Sequence, residues 1–89
     1  MSRPINRDDV YRAVAHPVRR KIIELLRERP RTPDDLIQSF KITQPSLSRH
    51  LRGLRDARIV VEKRQGRRRL YSYNARPLQS IARWISSVV

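Results

Sequence analysis

The sequence predicts a mostly helical α+β fold, in which four helices are followed by a β-hairpin and a last helix. Apolar residues recur at helical spacing before residue 57 and after residue 76, and between them β-branched residues precede a glycine and tyrosines follow it. The 89 residues can bury one modest core. We therefore expect a flexible arm over residues 1–7 and a single domain over residues 8–89.

The first two helices are predicted from their starts and their apolar spacing. Val10 and Val14 lie one turn apart and follow two acids, which suit the positive end of a helix dipole. Pro17 suits the first turn of a second helix, because its missing N–H would have no partner there. That helix ends before Pro30. Its apolar stripe consists of Val18, Ile22, Leu25 and Leu26.

A helix-turn-helix is predicted next. Thr32 is the expected N-cap of a short third helix, with Asp35 at the spacing of a capping box. A short bridge leads to Thr43, the expected N-cap of a fourth helix over residues 43–56. Because so brief a turn joins the two helices, the second is available for a DNA major groove. The leucines that face the core are Leu47, Leu51 and Leu54.

The other side of the fourth helix carries hydrogen-bond donors. At about 100° per residue, helical geometry turns five residues away from the core. Gln can pair with adenine and Arg with guanine from the floor of the major groove, so this side is a candidate reader of DNA. The alternative is a surface helix whose charges only face water. The five residues are Gln44, Pro45, Ser48, Arg49 and Arg52.

Residues 59–73 are predicted to form a β-hairpin whose loop is Gln65 and Gly66. In that register Glu62 faces Arg69, an ion pair that stabilises the ladder. Four cations then cluster at the tip, where they repel one another without an anionic partner. An anion-binding tip is therefore favoured over a hairpin that charge only keeps soluble. The four cations are Lys63, Arg64, Arg67 and Arg68.

The last helix, predicted over residues 77–88, carries a long apolar stripe. It either packs against the first two helices of its own chain or forms a two-fold dimer seam with Trp84 near its centre. The dimer is favoured, because the first helix is too thin to cover the stripe. The expected interface consists of Val10, Val14, Leu78, Ile81, Trp84, Ile85 and Val88.

The net charge of +13 is concentrated in one half of the chain. Residues 1–40 hold 9 basic and 6 acidic residues, whereas residues 41–89 hold 12 basic and 2 acidic residues. This distribution favours a polyanion, and nucleic acid over anionic membrane, because most of the excess lies outside an amphipathic helix. The sequence contains no cysteine, no membrane-spanning apolar run and no signal-peptide pattern, so a cytoplasmic location is expected.

The order of helix, helix, helix-turn-helix, basic hairpin and helix is that of a winged helix-turn-helix. The stretches AVAHPVRRKIIELLRERPRTPDDL, ITQPSLSRHLRGLRDARIV and GRRRLYSYN resemble the ArsR/SmtB family of bacterial and archaeal winged-helix repressors. The resemblance implies a homodimer, joined through its first and last helices, that reads a palindromic operator with its fourth helices and contacts flanking DNA with its wings. By position, it implies base contacts at Gln44, Pro45, Ser48 and Arg49. Phosphate contacts are expected at Ser46, Arg52 and Arg55.

The metal-sensing residues of that family are missing. Its cysteine pair would fall within Asp34 to Gln38, and its other ligands within Leu78 to Val89, which holds no His, Asp, Glu or Cys. His16 is interpreted as a helix-entry residue and His50 as a packed or hydrogen-bonded one, and neither has a partner at ligand spacing. We therefore expect no metal and no cofactor.

The sequence thus predicts a sequence-specific regulator of double-stranded DNA, a homodimeric repressor that occludes a promoter. The alternatives are a winged helix that binds RNA or a protein, and a non-specific architectural DNA-binding protein. An enzyme is not expected, because the sequence has no glycine-rich phosphate loop, cysteine nucleophile or Ser–His pair with an orienting acid. The expected location is the nucleoid of a bacterial or archaeal cytoplasm.

Overall fold

The order of the elements confirms the predicted winged helix-turn-helix. The structure is a computed structural model that describes residues 7–89. The expected arm lies outside the described residues except for Arg7, which is the first residue of a helix instead. The elements are α1 (Arg7–Ala15), α2 (Pro17–Glu28), α3 (Pro33–Ile37), α4 (Gln44–Asp56), β1 (Val60–Gln65), β2 (Arg68–Tyr73) and α5 (Arg76–Val88).

Two side-chain caps hold the helix-turn-helix. Thr32 and Asp35 form the predicted capping box, in which the Asp35 N–H donates to Thr32 Oγ1 at 3.2 Å and the Thr32 N–H donates to Asp35 Oδ2 at 3.4 Å. Thr43 Oγ1 accepts from the Ser46 N–H at 3.2 Å, as predicted for the start of α4. Both helices of the motif therefore begin where a hydroxyl satisfies an amide that has no helical partner.

The core lies where α1, α2, α4 and the start of the hairpin meet. Leu47, Leu51 and Leu54 are each at most 3% exposed, and they share one apolar cluster with Ile22 of α2 and Ile59. This burial fixes which side of α4 faces inward, so its polar side is turned outward.

The prediction that Val10 lies in a dimer seam is wrong. Val10 is 3% exposed within its own chain, and Ala13 is fully buried one turn further along α1. The reason is that α1 packs against α4 as well as against α2. Its thin apolar stripe is therefore buried in the core of a single chain.

The hairpin loop is shifted from its predicted position. Gln65 pairs with Arg68, so the loop consists of Gly66 and Arg67 rather than Gln65 and Gly66. Of the two loop residues, Gly66 alone has a positive φ, which is +61°. A two-residue hairpin turn with glycine at its first central position suits the twist of the strands, which explains the shift.

The shift changes the cross-strand partners but not the faces of the strands. Glu62 lies opposite Tyr71 instead of Arg69. Because side chains alternate with a period of two, a shift of two residues leaves each of them on its predicted face. Glu62 and Arg69 are therefore diagonal neighbours and still form an ion pair, with Oε1 and Nε 3.5 Å apart.

The base of the hairpin is attached to the loop between α2 and α3. Arg31 and Tyr71 exchange two backbone hydrogen bonds of 3.0 and 2.8 Å, which form a short antiparallel bridge. The Arg31 side chain is itself held, since its Nε donates to the Leu25 carbonyl at 3.1 Å and its Nη2 lies 3.0 Å from Glu28 Oε1. The buried Tyr71 anchors the base, while the tip projects from the body.

Candidate nucleic-acid interface

The outward side of α4 is exposed, as its helical spacing predicts. Five residues form what we call the reading face, and all five are exposed. Ser46 is half-buried beside this face, and its backbone N–H donates to Thr43 Oγ1. A convex helix surface of this kind has the size that a major groove admits, and its amide and guanidinium groups are those that pair with base edges. The reading face consists of Gln44, Pro45, Ser48, Arg49 and Arg52.

Arg55, at the end of α4, contacts a carboxylate. Its Nη1 lies 3.5 Å from Glu62 Oε2, and the other oxygen of Glu62 lies 3.5 Å from Arg69 Nε. Glu62 therefore links the end of α4 to the hairpin and neutralises part of the local charge. A DNA phosphate at Arg55 would have to compete with Glu62, so Arg55 is a weaker candidate for a phosphate contact than Arg52.

The tip of the hairpin, which we call the wing, is cationic and open. Its four predicted cations are exposed, and within residues 7–89 none of them is in an ion pair. Gly66 lies between them, and no atom of another element comes within 4 Å of the position that a Cβ would take there. An unpaired cluster of this kind attracts a phosphate backbone. The four cations are Lys63, Arg64, Arg67 and Arg68.

Two histidines and two arginines meet on one flank of the reading face. Arg19 Nε donates to His50 Nδ1 at 3.2 Å, and the His16 ring packs edge-on against His50 with centroids 4.9 Å apart. With Ser46 and Arg49 they line one cleft between α2 and α4. Burial lowers the pKa of His50 below its ordinary 6.5, and the neighbouring positive charges of Arg19, His16 and Arg49 lower it further.

Sequence reasoning missed this cluster, because it treats the two histidines as separate. No spacing signals it, since its members come from two helices that meet only through tertiary packing. Gly53 allows the Arg19 guanidinium to lie close to α4, because a Cβ at this position would be 2.5 Å from Arg19 Cζ. A glycine inside a helix costs about 1 kcal/mol relative to alanine, and here it leaves room for the Arg19 guanidinium.

The outer side of α5 is apolar and exposed. Trp84, Ile85 and Val88 are 55%, 47% and 61% exposed. Tyr11 of α1 packs edge-on against Trp84 with ring centroids 6.4 Å apart and extends this surface, although the sequence prediction leaves Tyr11 out. We call these four residues the apolar patch. The other predicted interface residues of α1 and α5 are half-buried against the core of their own chain, namely Val14, Leu78 and Ile81.

A comparison with known protein families identifies the family of this chain. The family model described as "Bacterial regulatory protein, arsR family" matches residues 16–62, from the start of α2 into β1. The chain belongs to the ArsR family. It is therefore a transcriptional regulator that binds DNA. Like its relatives, it is a regulator and not an enzyme.

Individual ArsR-family relatives agree over most of the chain. It is 34% identical to the transcriptional repressor SdpR of Bacillus subtilis over 82 residues, which cover 92% of this chain and 91% of SdpR. The crystal structure of the ArsR family transcriptional regulator RHA00566 superimposes with a TM-score of 0.84 at 25% identity, covering 98% of this chain and 91% of that one. NolR of Sinorhizobium fredii gives a TM-score of 0.75 at 25% identity, with coverages of 91% and 81%.

The positions where ArsR-family sensors bind metal do not fit a metal in this chain. Asp35 on α3 is engaged in the capping box with Thr32, and α5 has only amide, hydroxyl, guanidinium and apolar side chains. Among residues 7–89, no three His, Asp or Glu side chains lie close enough together to hold a metal ion. In that part of the chain, no helix is long and apolar enough to cross a membrane.

Proposed function

We propose that this ArsR-family regulator is a homodimeric repressor that reads a palindromic operator and occludes the promoter there. The observation that carries the proposal is the pairing of two open surfaces on one small chain. One is the donor-rich reading face of α4, and the other is the apolar patch on α1 and α5. A polar helix face and an apolar patch suit different partners, namely DNA and a second copy of the chain.

The reading face supplies the base contacts in this proposal. Gln44 and Arg49 carry the two side-chain types that form bidentate pairs with adenine and guanine. Ser48 lies one turn from Gln44 and donates to either base type, and the ring of Pro45 offers an apolar contact to a thymine methyl. Because all four are exposed, they reach base edges without rearrangement of the core.

Phosphate contacts hold the protein in register. Arg52 and Ser46 lie on α4 beside the base-reading residues, and Arg55 contributes where a phosphate displaces Glu62. The wing cations bind the flanking backbone, which adds affinity without reading sequence. DNA in a bacterial or archaeal cell lies in the nucleoid, so the proposal also places the protein in the cytoplasm.

The apolar patch supports the dimer. A Trp that is 55% exposed beside a Tyr, an Ile and a Val resembles the aromatic centre of a protein interface more than the surface of a monomer. A two-fold axis through this patch presents two copies of α4, which can enter major-groove segments about 34–36 Å apart. Because the metal positions do not fit a metal, we propose that release from DNA depends on another signal.

Selection of short duplexes from a random pool tests this function. We expect an inverted repeat to be selected and bound by one dimer, far more tightly than random DNA. The logarithm of its affinity should fall steeply with the logarithm of salt concentration, since several counterions are released. Equal affinity for every duplex would contradict operator reading and favour an architectural protein. Absence of DNA binding would redirect the search to RNA or protein partners.

A further inference from the structure

We propose that the cleft between α2 and α4 binds one phosphate of the DNA backbone, with Arg19 as its principal ligand. The proposal rests on the proposed DNA-binding function and adds a contact from α2, outside the helix-turn-helix and the wing. Ser46 and the Nε2–H of His50 are the further donors to this phosphate.

The charged side chains that line the cleft favour an anion. They are two guanidiniums, two imidazoles and one hydroxyl, and none of the described residues that line the cleft is acidic. The Arg19 guanidinium donates to a neutral imidazole rather than to a carboxylate, so its charge is not neutralised within residues 7–89. Burial is the main cause of the lowered pKa of His50, and the nearby positive charges of Arg19, His16 and Arg49 lower it further, as expected where no acid balances them.

The hydrogen bond to Arg19 orients the second donor. Because His50 Nδ1 accepts from Arg19 Nε, the proton of the neutral ring lies on Nε2, which remains available as a donor. The edge-on contact with His16 restrains the ring further. Arg19 and His50 thus present N–H groups from a fixed arrangement, in which little side-chain entropy is lost when an anion binds.

The position of the cleft selects DNA as the source of the phosphate. Ser46 and Arg49 belong both to the lining of the cleft and to the part of α4 that approaches the groove. When α4 lies in a major groove, the sugar-phosphate strand along the groove wall passes its flank. Arg and Ser are frequent ligands of backbone phosphates in such complexes.

Single-phosphate neutralisation combined with an arginine substitution tests the contact. Each phosphate of a selected half-site is replaced in turn by a methylphosphonate, symmetrically on both strands, and binding is measured for the wild type and for Arg19→Gln. In the wild type, one replacement at the groove edge should weaken binding roughly tenfold or more, as expected for a hydrogen bond to a charged group. In Arg19→Gln the same replacement should cost almost nothing, because the ligand is already gone.

Arg20→Gln is the matched control. Arg20 is the next residue of α2, carries the same charge and is turned toward α1, where its Nη1 donates to the Val14 carbonyl at 2.9 Å. It should keep the sensitivity of the wild type to that phosphate. Equal behaviour of the two variants would overturn the proposal, since the effect would then be the general positive field.

Gly53→Ala separates binding from folding. Alanine is the better helix former, but its Cβ occupies the space of the Arg19 guanidinium and displaces it while keeping its charge. We expect unchanged or higher thermal stability together with weaker DNA binding and loss of coupling to the same phosphate. Unchanged DNA binding would overturn the proposal.

Three further outcomes separate this contact from the proposed function and from the binding of a free anion. If the wild type binds no duplex, the proposed function and this contact fail together. If the wild type binds its selected duplex but no phosphate couples to Arg19, only this contact fails. Imidazole resonances that respond to inorganic phosphate alone, without any coupling to a DNA phosphate, would assign the cleft to a free anion and overturn the DNA contact.

Discussion

Helices α4 and α5 have the same length of 13 residues, yet they use their apolar sides in opposite ways. Three leucines of α4 are buried in the core, whereas α5 has no buried residue in the described chain although its composition is the more apolar. What α4 leaves exposed is polar, and what α5 leaves exposed is apolar. The exposed side of α4 thus suits DNA, and in the proposed function the exposed side of α5 suits a second protein surface.

Truncation of a buried leucine of α4 should have the largest effect, and this effect is on stability. Leu54 has no exposed surface, so Leu54→Ala leaves a cavity and should lower the free energy of unfolding by about 2–5 kcal/mol. Urea unfolding at low protein concentration measures it. Val88→Ala, on the exposed side of α5, is the control and should change stability little under those conditions. A loss as large as that for Leu54→Ala would contradict the contrast between the two helices.

Truncation at α5 should act on association instead. Trp84→Ala should weaken the dimer by about 2 kcal/mol or more, roughly thirtyfold in Kd, because it removes the largest side chain of the apolar patch. Sedimentation equilibrium measures the change. Arg83→Ala alters the neighbouring exposed residue of the same helix and should leave Kd almost unchanged. Association that is insensitive to Trp84 would rule out this patch as the dimer seam.

The exposed side of α4 should affect sequence choice. Arg49→Ala should cost about 1–3 kcal/mol on the selected operator and relax the preference at one base position, because it removes a candidate guanine contact. Affinities for the operator and for single-base variants measure it. Equal losses on operator and random duplex would argue that Arg49 contacts only phosphate.

Arg67→Ala is the counterpart on the wing. It should weaken binding to all duplexes similarly and reduce the salt slope by about one unit per contact, since its proposed ligand is a phosphate. A base-specific effect of Arg67→Ala would mean that the wing also reads sequence.

The smallest effect should be a dependence on pH that arises at α4 and not at α5. Because the pKa of His50 is lowered in the fold by burial and by Arg19, His16 and Arg49, protonation favours the unfolded chain. Stability should be fully present above the ordinary value of 6.5 and decrease as the pH falls below it. Urea unfolding between pH 7.5 and 5.5 measures this, and His50→Gln should remove part of the dependence. Helix α5 has no group that titrates in this range, so dimerisation should not follow the same curve.

Local patterns were sufficient to predict the fold. The start of α4 follows from the Thr43 hydroxyl, and its inward side follows from the spacing of Leu47, Leu51 and Leu54, which depends only on helical geometry. The exposure of the reading face follows from the same geometry. The roles of its residues on DNA stay predictions, because exposure makes a contact possible without specifying the base.

Features that depend on a single turn or on tertiary packing were not predictable. The hairpin loop moved by one residue because the position of Gly66 in the turn, which periodicity does not report, sets the register. Val10 was assigned to the wrong surface because the contact between α1 and α4 is not visible in either helix alone. The contact of Arg19 with His50 arises in the same way, from the packing of α2 on α4.

The attachment of the hairpin at Arg31 and Tyr71 makes the wing a module that can evolve separately from the rest of the protein. Residues 63–68 are exposed and lie outside the ion pairs of Glu62 with Arg55 and Arg69, so changes of length or charge in that segment disturb little of the folded body. In the proposed function, variants of the wing would therefore differ in how long the regulator stays on DNA while they keep the same operator. If the wing binds the DNA backbone as proposed, changing the number of its cations would grade the strength of the repressor without changing its operator.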